Sequence, residues 1–518
     1  MRREDTDCVI VGAGAAGAFM AARLAEAGRE VIVLEAGPAW SETDLVSSQI
    51  WARRLRWGGA PVAVGGDHPF AATFNSGWGF GGAALHHYGT WPRLQEADFT
   101  MRSRYGRGLD WPIDYQALRP YYDRVQTLVG ISGDAQAEIW RPPGADYPLP
   151  PLTVLAQGRA IKRGFDALGI ATAPAPMAVL SRPYNGRAAC IYDGWCDAGC
   201  PTGALYNPLI SDIPRARAAG ADLRAGATVR RIRSDARKAT GVEYVDKDGE
   251  RHRVDAELVI LAASAMQNPA LLLNSASTEF PDGLANSSGT VGRYFMSHLL
   301  TGVFGLFDTP TDPYLGISGA QLLGQDGYAK QRADGPFGSY QWLIAPAMKP
   351  NDLPGMATTR ADLFGQPLHD FMNRATRHIG HMLGFIEALP VAANRVELTG
   401  QAAADGVRGV KVVHGFDDNT LALRAVAIEE GLRVFRAAGV AEPWNGPIAT
   451  AHMMGGTIMG DDPHTSVTDS FGRCHDLPNL VIAGPGLFPT AGAANPTFTV
   501  YALALRTVEA LLDEQAAA

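Results

Sequence analysis

Cys190, Cys196 and Cys200 fall within eleven residues, spaced C-x5-C-x3-C and followed by Pro201, in a chain with only two other cysteines, Cys8 and Cys474. Thiolates are soft ligands, and groups of them bind zinc or iron–sulfur clusters. A structural zinc takes four ligands, commonly from C-x2-C pairs. Three local thiols fit a 3Fe-4S cluster instead, one thiolate to each iron, and the closing Cys-Pro is similar to ferredoxin-type ligand runs. Two alternatives stay open: three buried thiols without metal, or a fourth ligand supplied by the distant Cys474. Cys8 reads as a small core residue of the first strand.

A second motif opens the chain. Asp7-CVIVG is a short buried strand, and Gly12, Gly14 and Gly17 form G-x-G-x-x-G at the start of a helix expected over 15–27. Gly28 ends that helix, and Val31-IVLE is a second strand finishing in Glu35. Gly12 permits the tight turn, Gly14 lets a pyrophosphate approach the backbone, and Gly17 lets the helix pack closely. The helix N-terminus supplies amides and dipole for the phosphates, and Glu35 is placed to bond both hydroxyls of an adenosine ribose. With no basic neighbour, Glu35 argues against a 2′-phosphate. A motif this early in a long chain, with returning strands at Val259-ILAASA and Asn479-LVIAG, points to FAD rather than NAD.

These elements need a large scaffold, and 518 residues supply one: 46% hydrophobic, 19% charged, with 59 glycines and 34 prolines. That balance supports a sizeable core with many loops. A net charge of −8 and a pI near 5.9 exclude a nucleic-acid binder with a basic face. No apolar run is long enough to span a membrane. No leader precedes the first strand, so the expectation is a cytoplasmic chain as encoded, or a periplasmic one if a signal-bearing partner exports it.

Over nearly its whole length the chain resembles the glucose–methanol–choline (GMC) oxidoreductases. The likeness is carried in order by the N-terminal motif through Glu35-AG, Gly81-Gly82 in SGWGFGGAALHH, Val291-GRYFMSH, Asn394-RVEL, His452-MMGGTIMG and Asn479-LVIAGPGLFPT…Asn495-PTFTVYALAL. Within the family, Arg107-GLDWPIDYQALRPYY, Cys196-DAGCPTGALYN and Thr457-IMGDDP look most like the FAD-bearing subunits of bacterial sugar dehydrogenases. The implied fold is α/β: a Rossmann-like FAD-binding domain plus an inserted substrate domain with a mostly antiparallel sheet. The implied division is 1–100, 186–300 and 446–518 for FAD, and 101–185 and 301–445 for substrate.

Alcohol oxidation needs a base for the hydroxyl proton and a donor that orients the oxygen, while flavin accepts the hydride. The resemblance places these at His452 and Asn495. It implies further FAD contacts at Gly81, Gly82, His86, Val229, Gly484, Asn495, Pro496 and Thr497. His86 falls where some relatives bind FAD covalently, although the relatives most like this chain do not. His298, in FMSH, reads equally as packing or chemistry. The resembled sugar dehydrogenases carry a 3Fe-4S cluster in the segment of Cys190, Cys196 and Cys200. Some of them have an extra cysteine where this chain has Ile191.

The expected function is therefore an FAD-dependent dehydrogenase of a sugar, glycoside or polyol, passing electrons through the cluster to an external acceptor. A small accessory subunit and a cytochrome are the implied partners. The alternatives are an oxidase or dehydrogenase of aryl or aliphatic alcohols, and a non-catalytic electron-transfer subunit. Residues 38–75 read as a loop or lid over the pyrophosphate, and the aromatics between Phe304 and Phe385 as the substrate-domain sheet and its cover.

Overall fold

The computed structural model describes residues 2–517 except 58, 60, 334, 350–351 and 404–405. The fold grows from the strand Arg2–Val11, whose residues Cys8–Val11 are buried. It pairs in parallel with Val31–Leu34 on one side and with Arg251–Leu261 on the other. Such strands, covered on both faces, are continuous apolar runs. Asp222–Arg224 extends the sheet beyond Val31–Leu34. The long strand Arg251–Leu261 is shared: its first half pairs antiparallel with Ala239–Val245, and its last residues pair in parallel with Leu480–Ile482. The expected returning strands are thus neighbours, and Thr228–Ser234 closes the antiparallel end.

The helix Ala15–Glu26 follows the first strand and packs on the helices Asp212–Ala218 and Thr497–Ala517. Gly28, at φ +85°, takes the left-handed conformation that ends it. Gly17 is required by close approach, since a Cβ there would lie 2.0 Å from Gly12 O.

The second sheet is antiparallel. In spatial order it runs Trp444–Asn445, Met296–Leu306, Ile379–Ile386, Tyr340–Ile344, Leu322–Gly324, Ala173–Pro174, and Ala449–Met454 also pairs with Met296–Leu306. The helices Ala156–Ala167 and Asp418–Ala437 pack on it. The second of these starts at Asp417, whose carboxylate accepts the Thr420 N–H at 2.8 Å. Phe304, Phe307, Tyr340, Trp342, Phe371 and Phe385 are buried as expected, but Phe364 is 83% exposed. A small third sheet joins Arg395–Ala402, Arg408–Val413 and Ala63–Gly65.

Two segments carry packing that the sequence did not reveal. Within the stretch 101–185, the apolar face of the helix Tyr115–Val129 joins the core of the first sheet and lies on Thr497–Ala517. Its pattern of Leu118, Tyr122, Val125 and Val129 marks a buried helical face but not the partner it meets. Residues 38–75 are not a plain loop. They carry the helix Gln49–Trp57, in which Trp51 Nε1 donates to Ala198 O at 3.1 Å and Arg56 pairs with Asp197 at 3.4 Å. That helix lies on the cysteine loop. Among the described residues no helix is long and apolar enough to cross a membrane.

Candidate functional site

The glycine loop is built from backbone approach. Gly12, at φ +100°, has no room for a Cβ, which would lie 2.7 Å from Ala262 O. The Gly81-Gly82 turn docks on this loop: Gly81 N donates to Ala13 O at 2.9 Å, and a Cβ on Gly82 would sit 3.0 Å from the Gly14 Cα. Gly14 caps the helix Ala15–Glu26 without a side-chain hydrogen bond to the helix end, so its amides and dipole face the loop. Gly484, at φ +105°, has open space where a side chain would project. Val229 is half-buried opposite Tyr244 in the antiparallel end of the sheet. Pro496 and Thr497 start the 21-residue C-terminal helix.

Glu35 has main-chain partners that the sequence did not reveal. Its carboxylate accepts the N–H of Ala13 at 2.9 Å, Gly37 at 2.8 Å and Gly79 at 3.0 Å. Burial raises its pKa and these amides oppose the rise. These amides engage the carboxylate in addition to the ribose contact expected of it. Glu35 ties the glycine loop to the Gly79 turn as well as marking the end of its strand. Open glycines, an uncapped helix end and a buried acidic residue together fit an FAD.

His452 sits on a β-bulge. Thr450 and Ala451 pair with Leu299 and His298, then the register shifts, and Met453 pairs with Ser297. His452 is the extra residue, at φ +63°, a conformation uncommon outside glycine. Its N–H donates to Asn75 Oδ1 at 2.8 Å. A bulge re-aims its side chain, and here the ring stacks on Phe385 with centroids 5.1 Å apart. His452 Nδ1 meets His298 Nδ1 at 2.9 Å, and His452 Nε2 meets Asn495 Nδ2 at 3.4 Å. The fold thus brings together the two residues singled out from the sequence, 43 positions apart. Burial, and then the neighbouring His298, hold the His452 pKa well below 6.5, and burial lowers that of His298 to about 4. A neutral imidazole facing an amide donor can take a hydroxyl proton while the amide holds the oxygen.

The surrounding residues were not legible beforehand. Gln341 Nε2 donates to Asn495 Oδ1 at 2.9 Å, and Gln325 Nε2 to Gln341 Oε1 at 2.9 Å. A glutamine inside the wholly buried strand YQWLI was the available signal. Behind the turn that carries Asn495, Tyr328 OH accepts the N–H of Ala493 at 3.0 Å and of Ala494 at 3.1 Å, and donates to Asp98 at 2.9 Å. Lys330 bridges Asp98 at 2.5 Å and Glu387 at 2.7 Å, all three nearly inaccessible to solvent. His86 is buried, follows the Gly81-Gly82 turn, and donates from Nε2 to Ser76 O at 2.8 Å. Burial lowers its pKa to about 4.

The three cysteines of the loop share an apolar cluster that also contains Phe385 and Ala451, next to His452. Cys196 and Cys200 are buried and Cys190 is partly exposed. Tyr192 N donates to Cys190 Sγ and Leu205 N to Cys200 Sγ, each at 3.3 Å, and the Ser318 backbone bonds Cys196. Burial raises the Cys190 pKa to about 11 and holds that of Cys196 well above the usual thiol value, with mutual repulsion among the thiols adding to both. Cys474 is buried in the core of the first sheet, among the residues around Leu480, apart from this cluster. Among the described residues, Asp246, Glu250 and His252 are the one trio of candidate ligands with all ligand atoms within 4.8 Å. They form a hairpin turn in which His252 Nε2 bonds Asp246 at 2.7 Å. The three thiols are more widely spaced than a single zinc ion requires, with Zn–S bonds of about 2.3 Å.

The parallel sheet with its open glycine loop, and the imidazole and amide facing each other, are those of a flavin-dependent oxidoreductase of CH–OH groups. Two family models described as GMC oxidoreductase match residues 6–300 and 390–504. The chain belongs to the GMC oxidoreductase family. It is 33% identical to 2-methyl-1,2-propanediol dehydrogenase of Mycolicibacterium austroafricanum, over 97% of this chain and 94% of that one. It is 29% identical to the fructose dehydrogenase large subunit of Gluconobacter japonicus, over 98% of each. In three dimensions it is similar to pyridoxine 4-oxidase from "Mesorbium loti", with a TM-score of 0.66 and 19% identity over 98% of this chain and 99% of that one. The expected α/β fold and FAD chemistry stand. The two named sequence relatives are thus a dehydrogenase of a diol and a subunit of a dehydrogenase of a sugar.

Proposed function

We propose that this chain is a dehydrogenase that oxidises one hydroxyl of a sugar, glycoside or polyol and delivers the electrons to an external acceptor through a 3Fe-4S cluster. The observation that carries the reading is the 3.4 Å contact between His452 Nε2 and Asn495 Nδ2. A contact that long is weak, and a substrate hydroxyl replaces it by donating to Nε2 and accepting from Nδ2. His452 then takes the hydroxyl proton at Nε2, while Asn495 holds the oxygen. Gly12, Gly14, Gly17, Glu35, Gly81, Gly82, Gly484 and the helix start at Pro496-Thr497 hold the FAD, with Val229 on its adenosine side. When bound, FAD supplies the hydride acceptor.

Cys190, Cys196 and Cys200 hold the cluster. The support is chemical: three thiols lie in one loop, each accepting a main-chain N–H that offsets part of the burial holding them protonated, and a bound metal would supply the rest of what the thiolate form needs. Their shared cluster with Phe385 and Ala451 puts the loop beside the hydroxyl-oxidising pair. A cluster there supplies one-electron transfer outward, which suits an acceptor subunit or cytochrome better than oxygen.

Anaerobic stopped-flow mixing with fructose, glucose, gluconate, glycosides, polyols, aliphatic diols and benzylic alcohols tests the reading. Bleaching of the flavin by the polyhydroxylated compounds, coupled to a dye acceptor faster than to oxygen, is expected. The name of the 33% identical relative gives an aliphatic diol equal standing in the screen. Bleaching by such diols or benzylic alcohols alone would replace the sugar reading. No bleaching by any alcohol would leave the electron-transfer subunit.

A further inference from the structure

His298 is fully buried in the strand Met296–Leu306. Its Nε2 lies 3.0 Å from Gly492 O and 3.4 Å from Ala491 O. Carbonyl oxygens only accept, so Nε2 carries the hydrogen, and a neutral imidazole has no second one. His298 Nδ1 is therefore bare. His452 Nδ1, 2.9 Å away, must donate to it, which leaves His452 Nε2 bare and facing Asn495.

The amides on the other side run the same way. Gln95 Nε2 donates to Gln325 Oε1 at 3.3 Å, Gln325 to Gln341 at 2.9 Å, and Gln341 to Asn495 Oδ1 at 2.9 Å. Asn495 is left with Nδ2 toward His452. Reversing Gln325, Gln341 or Asn495 sets two donors or two acceptors face to face among buried side chains where water cannot compensate.

We propose that His298 is a positioning residue that fixes the tautomer of His452, with Nδ1 protonated and Nε2 bare, and that Gln341 orients Asn495 to match. The proposal rests on the reading of His452 as the base. It assigns the atom that takes the proton. Once Nε2 is protonated, the Nδ1–H stays on a neutral acceptor, so the new cation is stabilised without rearrangement. A ring of the opposite tautomer would present an N–H to the substrate hydroxyl and could not accept its proton.

The test uses the holoenzyme labelled with [15N]histidine, in which long-range proton–nitrogen spectra report which ring nitrogen is protonated. The His452 signal is assigned by its loss in His452→Gln. At pH 7.5, His452 is expected with Nδ1 protonated and Nε2 bare, and His298 with the reverse. Flavin reduction should fall roughly a hundredfold or more in His298→Leu, as for a base held in the wrong tautomer, with kcat changing more than KM. His298→Gln, whose amide can accept from His452 and donate to Gly492, should recover to within about tenfold of wild type. Gln341→Leu should lose roughly tenfold.

An Nε2-protonated His452 in the wild type overturns the proposal. So does a His298→Leu rate within threefold of wild type, or a His298→Gln rate as low as that of His298→Leu. If His298→Leu fails to retain FAD, the wild-type spectrum and Gln341→Leu decide. Near-normal flavin reduction by His452→Ala would defeat the base reading itself. An inactive His452→Ala with any of the overturning results defeats the tautomer assignment alone.

Discussion

The main-chain N–H of His452 donates to the side chain of Asn75 at 2.8 Å, across 377 positions of sequence. The donor belongs to the unpaired residue of a β-bulge, and the acceptor lies at the end of the short helix Ala72–Asn75. Asn75 is itself held by Nδ2 donation to Ala71 O at 2.9 Å, and Ala71 N donates to Thr450 Oγ1 at 2.9 Å. This helix is thus fastened to the bulge it supports.

Asn75→Ala should free the bulge and let the His452 ring drift. Losing one partly buried hydrogen bond of about 1 kcal/mol corresponds to roughly five- to tenfold in rate. Stopped-flow flavin reduction is expected to fall by at least that much with FAD content unchanged. An unaltered rate would show that the strand alone aims His452.

The reductive step should tolerate acid. The His452 and His298 rings are both held below 6.5 by burial, His298 at about 4, with Glu387 raising and Lys330 lowering the latter. A lowered pKa keeps the neutral, proton-accepting ring as pH drops, so the rate of flavin reduction should stay level from pH 8 to about 5.5. A decline centred near 6.5 would contradict this. Stability has the same sign. His86, His87, His298 and His381, each at about 4, must gain protons on unfolding. Their stabilising contribution is full above about 6.5 and is lost as pH falls through 4. Glu138, raised to about 7, and Asp212, raised to about 6, oppose it. His452 and His414 add to the first group, and Glu35 and Asp98 to the second, so six histidines stand against four carboxyls and the protein should be net destabilised by acid, which urea melts at pH 7.5 and 5 will measure.

Lys330→Met should be strongly destabilising. It leaves Asp98 and Glu387 buried without their shared cation, and breaking a buried pair costs ~3–5 kcal/mol. Because Asp98 also accepts from Tyr328, which bonds the amides of Ala493 and Ala494, the turn before Asn495 should loosen as well. A drop in the urea midpoint with slower flavin reduction is expected. A stable variant with normal reduction would show that the charge triad does not support that turn.

Substituting Cys190, Cys196 or Cys200 singly by Ser should remove iron from anaerobically isolated protein while flavin absorbance remains. Cys474→Ser should leave iron unchanged, since Cys474 is buried in the other core. Zinc in place of iron, or iron lost with Cys474, would overturn the assignment of the ligands.

The sequence alone determined the features that depend on neighbours along the chain. Gly12, Gly14, Gly17 and Glu35 could be assigned to a βαβ phosphate loop because their spacing, set by one strand, one helix and one strand, is local. The clustered thiols were visible for the same reason. The pairing of His452 with His298 was not, because side chains of adjacent strand residues alternate faces. Ala451 is the residue opposite His298, so an unbulged strand would turn His452 away. Only an extra residue in the register, held by Asn75 from elsewhere in the chain, brings the ring round. The three jobs of Glu35, and the packing of the helix Tyr115–Val129 on the C-terminal helix, were likewise decided by contacts between distant segments. An amphipathic pattern or a lone carboxylate shows that a partner exists; tertiary packing selects which one.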